Sequence, residues 1–193
     1  MRKILFFSNN IHKLKEIKKL TTCLKIKLYS PNDFELKKEP KENGNSFAEN
    51  SKIKSLFGYK KIKLPCFADD SGICIEALKW GPGISSKKFI CSFSSEKNCF
   101  DYIFNKVKKT GKNKAYFQTS ICYTLREDYH IIFEGKVKGH ISNKYSGKHG
   151  FGYDPIFIPD GYKKTFGEIK SFEKNRISHR AIAINKFIDF INY

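Results

Sequence analysis

Five short segments of this 193-residue chain carry residue types that could do chemistry together. Ser8-Asn9-Asn10-Ile11-His12-Lys13 follows a short apolar run. A small polar turn opening a helix leaves backbone N–H groups for an anion, and a first-turn lysine can lean back toward it. The same pattern also fits a plain capped helix with a surface lysine. Glu49 and Asn50 follow Ser46 in the form of a capping box, in which Glu49 returns a hydrogen bond to the Ser46 backbone. Asp69-Asp70-Ser71-Gly72 sets two adjacent carboxylates directly after an apolar run. Such a pair is unfavourable at the end of a sheet unless something neutralises it. Hard Mg²⁺, which takes carboxylate oxygens together with substrate phosphates, would do so; an Asx-type turn is the simpler alternative. Gly150-Phe151-Gly152-Tyr153-Asp154-Pro155 allows close backbone approach and offers Phe151 or Tyr153 for stacking on a base, unless it is a buried aromatic turn. Lys174-Asn175-Arg176-Ile177-Ser178-His179-Arg180 gathers donors for a phosphate or a purine carbonyl, or else forms a capped basic surface helix.

The elements that must position these residues read as α/β. Ile4-Leu5-Phe6-Phe7 is a short buried strand, and a helix runs from Ile11 to Leu20 with Ile11, Leu14, Ile17 and Leu20 on its apolar face. Residues 36–45 form a loop. A second helix starts at Ser46 with Phe47, Ile53, Leu56 and Phe57 inward. Cys66-Phe67-Ala68 reads as a strand ending on Asp69–Gly72, and Ile73-Cys74-Ile75 resumes it; Trp80–Gly83 is a rigid turn. A helix is predicted over 96–109 behind the N-cap Ser95, with Phe100, Ile103, Phe104 and Val107 as its stripe. Tyr116–Leu125 and Tyr129–Val137 read as an antiparallel hairpin. A basic, glycine-rich loop over 144–152 precedes Tyr153, and Ser178 caps a last helix whose Ile184, Phe187, Ile188 and Ile191 face inward. The pattern is α/β with a mixed β-sheet flanked by helices, two lobes on one core, with residues 1–193 forming a single domain.

Composition bounds the function. A chain of this length buries roughly 70% of its unfolded surface, so it needs no disulfide or structural metal. With 40% apolar and 15% aromatic residues it is not disordered. No apolar run approaches the ~18 residues of a membrane span, and the N-terminus lacks a signal-peptide pattern; a soluble, cytoplasmic protein is expected. The six cysteines (Cys23, Cys66, Cys74, Cys91, Cys99, Cys122) contain no C-x-x-C pair, so they read as reduced, mostly buried thiols and not a zinc site. The net charge of +18 raises the possibility of nucleic acid. Only four of the 37 basic residues are arginine, however, and the lysines are scattered. That fits a solvated surface, or a field drawing in small anions, better than specific base recognition.

In their order the five segments resemble the non-canonical purine nucleoside triphosphate pyrophosphatases, the inosine triphosphate pyrophosphatase family. The opening T-x-N-x-x-K pattern is matched by Ser8 to Lys13, E-N-A by Glu49-Asn50-Ser51, D-D-S-G by Asp69 to Gly72, and P-G by Pro82-Gly83. G-F-G-Y-D-P is unchanged at Gly150 to Pro155, and K-x-x-I-S-H-R is matched by Lys174, Ile177, Ser178, His179 and Arg180. The resemblance covers nearly the whole chain. It implies an elongated α/β fold with a central cleft between two lobes, and a homodimer. The implied activity is Mg²⁺-dependent hydrolysis of ITP, dITP and XTP to the monophosphate and pyrophosphate, which cleanses the nucleotide pool. By position, Ser8, Asn9, Asn10, Ile11, His12 and Lys13 would cradle the triphosphate. Glu49 and Asp70 would hold Mg²⁺, with Asp70 also taking the proton of the attacking water. Ser71 would touch substrate, and Phe151, Gly152, Tyr153, Asp154, Lys174, His179 and Arg180 would frame base and phosphates. His179 and Arg180, as donors, would favour the six-carbonyl of ITP over the amino group of ATP.

The sequence departs from the family at Asn9 (usually Gly), at Ser51 (Ala), and at Lys87, where an arginine is expected after the P-G turn. Two rival readings stand beside this one. One is a Maf-like pyrophosphatase acting on modified pyrimidine nucleotides; the other is a basic nucleic-acid-binding protein.

Overall fold

The computed structural model describes residues 2–22 and 24–192; Cys23, expected as a buried thiol, lies outside them. Strands β1 (Arg2–Phe6), β2 (Ile26–Tyr29), β3 (Cys66–Ile75), β4 (Gly81–Pro82), β5 (Lys114–Arg126), β6 (Tyr129–Ile141) and β7 (Phe157–Pro159) form a seven-stranded mixed sheet. Its order is β2-β1-β3-β5-β6-β7, with β4 on β3. β1 runs parallel to β2 and β3, whereas β4 and β7 pair antiparallel with β3 and β6. Six helices flank it: α1 (Ile11–Leu20), α2 (Phe47–Ile62), α3 (Ser86–Cys91), α4 (Glu96–Thr110), α5 (Ser171–Ile177) and α6 (His179–Asn192). The mixed α/β class is as expected. No helix among the described residues is long and apolar enough to cross a membrane.

The chain divides into two compact units. Unit 1 comprises Met1–Asp70, Thr119–Gly135 and Arg180–Tyr193; unit 2 comprises Ser71–Gln118 and Lys136–His179. The core of unit 1 places Ile4, Phe6 and Phe67 of the sheet with Leu14 and Ile17 of α1 and Ile184, Phe187, Ile188 and Ile191 of α6. Phe67 stacks between Phe6 (4.8 Å) and Phe187 (4.7 Å). The core of unit 2 gathers Ile73, Ile75, Phe100, Ile103, Phe117, Tyr153, Phe157 and Phe166. The predicted inward faces of α4 and α6 are therefore observed.

Several local expectations are corrected. The acidic pair does not end a strand, because β3 runs unbroken through Asp69–Gly72. Gly72 is required there: a Cβ would collide with the Gly83 carbonyl and come within 2.5 Å of Ser86 Oγ. Ile11 stands exposed at the first position of α1, so the apolar face of that helix begins at Leu14. On α2 the deepest positions after Phe47 are small or polar, namely Asn50, Ser51, Ser55 and Gly58, while Ile53, Leu56 and Phe57 are half-buried. Small residues let α2 sit close to the sheet. A Cβ on Gly58 would lie 2.7 Å from Cys66 Sγ and 2.9 Å from Phe7 Cδ2, and Ser55 hydrogen-bonds Thr124 at 2.8 Å. This close approach points Asn50 and Lys54 of α2 at β3.

Candidate active site

Successive residues of a strand face opposite sides of the sheet, so Asp69 and Asp70 meet different neighbours. Asp69 is fully buried; its Oδ2 accepts from Lys13 Nζ of α1 at 3.0 Å and from Arg180 Nε of α6 at 3.2 Å. Arg180 is itself buried and donates through Nη1 to Glu16 Oε2 at 2.5 Å. Burial opposes the Asp69 charge, but Lys13 and Arg180 outweigh it and hold this carboxyl well below the usual carboxylate range. Burial also lowers the pKa of Lys13, against the pull of Asp69. For Arg180, burial is outweighed by Glu16 and Asp69, which keep the guanidinium charged.

Asp70 meets α2. Its Oδ2 accepts from Asn50 Nδ2 at 3.1 Å, and Lys54 Nζ lies 3.4 Å from its Oδ1 and 3.1 Å from Glu42 Oε2. Burial pushes the Asp70 carboxyl above its ordinary value even though Lys54 and Lys13 pull it down. Burial likewise disfavours the Lys54 ammonium, but Asp70, Asp69 and Glu42 more than compensate and raise its pKa. Each carboxylate of the pair thus has a protein cation beside it, Lys13 and Arg180 at Asp69 and Lys54 at Asp70. Asp69 is locked as an ion, and Asp70 is a carboxylate of increased basicity.

The Ser8–Lys13 segment adopts the predicted cap in a more closed form. Asn10 is the N-cap of α1, and its Oδ1 accepts from the N–H groups of both His12 (2.9 Å) and Lys13 (3.2 Å). Ser8 Oγ accepts from Asn10 N at 3.2 Å. The backbone donors thought available to an anion are therefore engaged by the cap itself, which leaves the Lys13 ammonium as this segment's strongest contribution. His12 and Asn9 are exposed. Asn9 is not among the described non-glycine residues with positive φ, which are Glu35, Lys63, Lys79 and Trp80, so the family's glycine is not demanded by the backbone here. Ser46 accepts from Glu49 N at 3.1 Å, but the Glu49 carboxylate takes the N–H of Asn45 (2.7 Å) and not that of Ser46. The Ser51 hydroxyl is satisfied by the Ala48 carbonyl at 2.8 Å. Lys87 is exposed on α3.

In unit 2 the 150–154 turn is closed by a buried ion pair. Asp154 Oδ2 accepts from Lys174 Nζ of α5 at 2.6 Å and from Phe151 N at 2.7 Å. Gly150, at φ 75°, is required because any Cβ would strike this carboxylate. The Lys174 ammonium also lies 5.1 Å from the centroid of the Phe151 ring. Phe151 is half-buried, as are Gly152 and Ser71. Tyr153 is different: its ring is buried in the core and its hydroxyl donates to the Ser86 carbonyl at 2.8 Å. Of the two aromatics offered for stacking on a base, Tyr153 is excluded. Lys174 sits on α5 and not at the start of the last helix. His179, the first residue of α6, is buried with its ring lying flat on Phe117.

Lys54, Glu42 and Glu16 were not singled out by sequence reasoning. Glu16 was legible as the opposite charge three residues after Lys13 on one helix, and Lys54 as the position four residues after Asn50. In a lysine-rich chain neither stood out. Among the described residues no group of three or more His, Cys, Asp or Glu is arranged to hold a metal. The described cysteines are free thiols, and only Cys91 is exposed. Burial pushes Cys66 well up and Cys99 up to about 11, the opposite of a nucleophile.

Fold and site together define a mixed α/β protein with a differentiated carboxylate pair on its third strand. The chain belongs to the Ham1 family, whose profile matches residues 4–190. It is 36% identical over 192 residues to the dITP/XTP pyrophosphatase of Leptospira interrogans serogroup Icterohaemorrhagiae serovar copenhageni, covering 98% of this chain and 97% of that protein. It is 39% identical over 201 residues to the dITP/XTP pyrophosphatase of Borrelia duttonii, covering 99% and 98%. A HAM1 protein from Coxiella burnetii superposes with a TM-score of 0.90 at 31% identity, covering 100% of this chain and 99% of that one.

Proposed function

We propose that this protein hydrolyses ITP, dITP and XTP to the nucleoside monophosphate and pyrophosphate. The observation that carries the reading is Asp70: a buried carboxylate of raised basicity, oriented by Asn50 and Lys54, in a chain similar over its full length to dITP/XTP pyrophosphatases. Asp70 takes the proton of the attacking water, a role in which a carboxylate basic enough to hold that proton is favoured. The ammonium groups of Lys13 and Lys54 face the triphosphate charge, and Asp69 with Arg180 keeps Lys13 in place. Phe151 stacks on the base, and His179 donates to it. Family membership favours this reading over the Maf-like pyrimidine alternative, and an acidic pair is of little use to a nucleic-acid binder.

The same proposal includes Mg²⁺, which Glu49 and Asp70 would hold. An all-oxygen donor set of this kind suits a hard cation. When bound, the ion would neutralise phosphate charge and polarise the scissile anhydride. A homodimer in the cytoplasm completes the reading. Pyrophosphate release is to be measured with ITP, dITP, XTP, GTP and ATP, with Mg²⁺ and with chelator. The expected result is Mg²⁺-dependent release from the first three only. Equal turnover of ATP would sink the substrate assignment, and full activity in chelator would sink the metal.

A further inference from the structure

We infer that Phe117 is the positioning residue for His179, its ring fixing the plane in which the imidazole presents its N–H edges. The two rings lie face to face, with centroids 4.6 Å apart and planes 7° from parallel. Both residues belong to unit 2, Phe117 on β5 and His179 at the start of α6. Offset stacking at this separation is a favoured aromatic geometry with a directional preference, unlike general apolar contact. Imidazole donors lie in the plane of the ring, so a contact that sets the plane confines both nitrogens to it.

Phe117 is itself held. Phe157 meets it edge-on at 4.8 Å and 74°, and Phe166 lies 6.0 Å away. Phe157 and Phe166 pack on one another at 5.3 Å. All three phenylalanines are buried, and so is His179. The imidazole therefore rests on a buried ring packed against two others. Leucine would keep an apolar side chain in the core but remove the flat face on which His179 lies, together with the ring contacts to Phe157 and Phe166.

The inference rests on His179 being a substrate-binding donor, and the test separates the two. Measure kcat/KM for ITP and the thermal midpoint of the full chain for wild type, Phe117→Leu, Phe117→Tyr, His179→Ala and the Phe117→Leu/His179→Ala double variant. His179→Ala is expected to lose about tenfold or more, as for a hydrogen bond whose buried partner is left unsatisfied. Phe117→Leu is expected to lose about tenfold, because small misplacements of a positioned group have such effects. Phe117→Tyr keeps the flat face and should stay within about threefold of wild type. The double variant should fall no further than His179→Ala, the non-additivity of two residues acting as one. If His179→Ala loses activity but Phe117→Leu does not, or if the losses multiply in the double variant, Phe117 serves packing only. If His179→Ala is as active as wild type, it is the reading of His179 that fails. Should Phe117→Leu not fold, proton NMR of the wild type decides. The His179 ring protons, assigned by their loss in His179→Ala, should be shifted upfield by the phenyl ring current, and an unshifted pair overturns the stack.

Discussion

Asp69→Asn removes one charge and almost no volume from the most buried part of the ion-pair network. At 3.0 and 3.2 Å, Lys13 and Arg180 each gain roughly 5 kcal/mol of gross attraction to Asp69 at an effective dielectric of about 20. Much of that is offset by desolvation, so the measurable quantity is the penalty of leaving cations behind. Removing one partner of a buried pair typically costs about 3–5 kcal/mol. The lower end applies here, because Arg180 keeps Glu16 at 2.5 Å and the Lys13 side chain retains 15% exposure. A loss of about 3 kcal/mol in a chain of this size lowers the Tm by roughly 6–12 °C. The pH dependence has a definite sign. The folded-state pKa of Asp69 is depressed, so its contribution is fully present above the unfolded value of about 3.9 and is lost as pH falls through the folded pKa. Urea unfolding of wild type and variant at pH 7, 5 and 3.5 should therefore show a constant gap between the first two and a narrower one at the third. A gap under about 1 kcal/mol at pH 7, or one that does not narrow in acid, would refute the buried-anchor account.

Asp70→Asn should leave Tm close to wild type and reduce ITP hydrolysis by about 10²–10⁴-fold; activity within tenfold of wild type removes Asp70 as the base. Burial holds the Asp70 pKa above its ordinary value in the metal-free chain, so an NMR titration of its carboxyl carbon without Mg²⁺ should give a midpoint above the ordinary Asp range, and one at or below that range contradicts the burial argument. Lys54→Met takes away the nearest cation offsetting burial at Asp70, so the same metal-free titration midpoint should move to higher pH; an unmoved midpoint means Lys54 does not tune Asp70. Gly58→Val forces atoms against Cys66 and Phe7 and should destabilise the fold by about 1–3 kcal/mol in chemical denaturation, whereas a neutral result would show that α2 can stand further from the sheet.

What was legible in the sequence was what is local. The N-cap of α1 and the inward faces of α4 and α6 follow from spacing and capping residues, and the structure repeats them. The local sequence ends the strand on the acidic pair, because polar residues there follow an apolar run. The cations that permit them come from positions such as Arg180, 111 residues further along the chain, and no local pattern contains that information. The face of α2 was misjudged for a related reason: a helix pressed against a sheet buries its smallest residues, while hydrophobic periodicity looks for its largest. Tyr153 and Phe151 stand two apart in one motif, and only the packing around Ser86 separates the core ring from the half-buried one. Four-residue β2 and the short helices α3 and α5 carry too few turns or alternations for periodicity to register.

The differentiation of Asp69 from Asp70 follows from one geometric fact. In a strand, neighbours point to opposite faces, so two identical side chains side by side make different direct contacts and receive two electrostatic environments. Asp69 faces α1 and α6, which supply a lysine and a doubly anchored arginine, and its proton affinity is driven down. Asp70 faces α2, which supplies an amide and a lysine shared with Glu42, and burial keeps its affinity up. Carboxylates pushed apart in this way suit different tasks, which is what the role proposed for Asp70 requires. Had the strand ended before Asp69, as its local sequence suggested, both would have met solvent and neither role would have been assigned. The unbroken β3, made possible by the absence of a side chain at Gly72 against Gly83 and Ser86, is thus what gives a repeated residue two electrostatic environments.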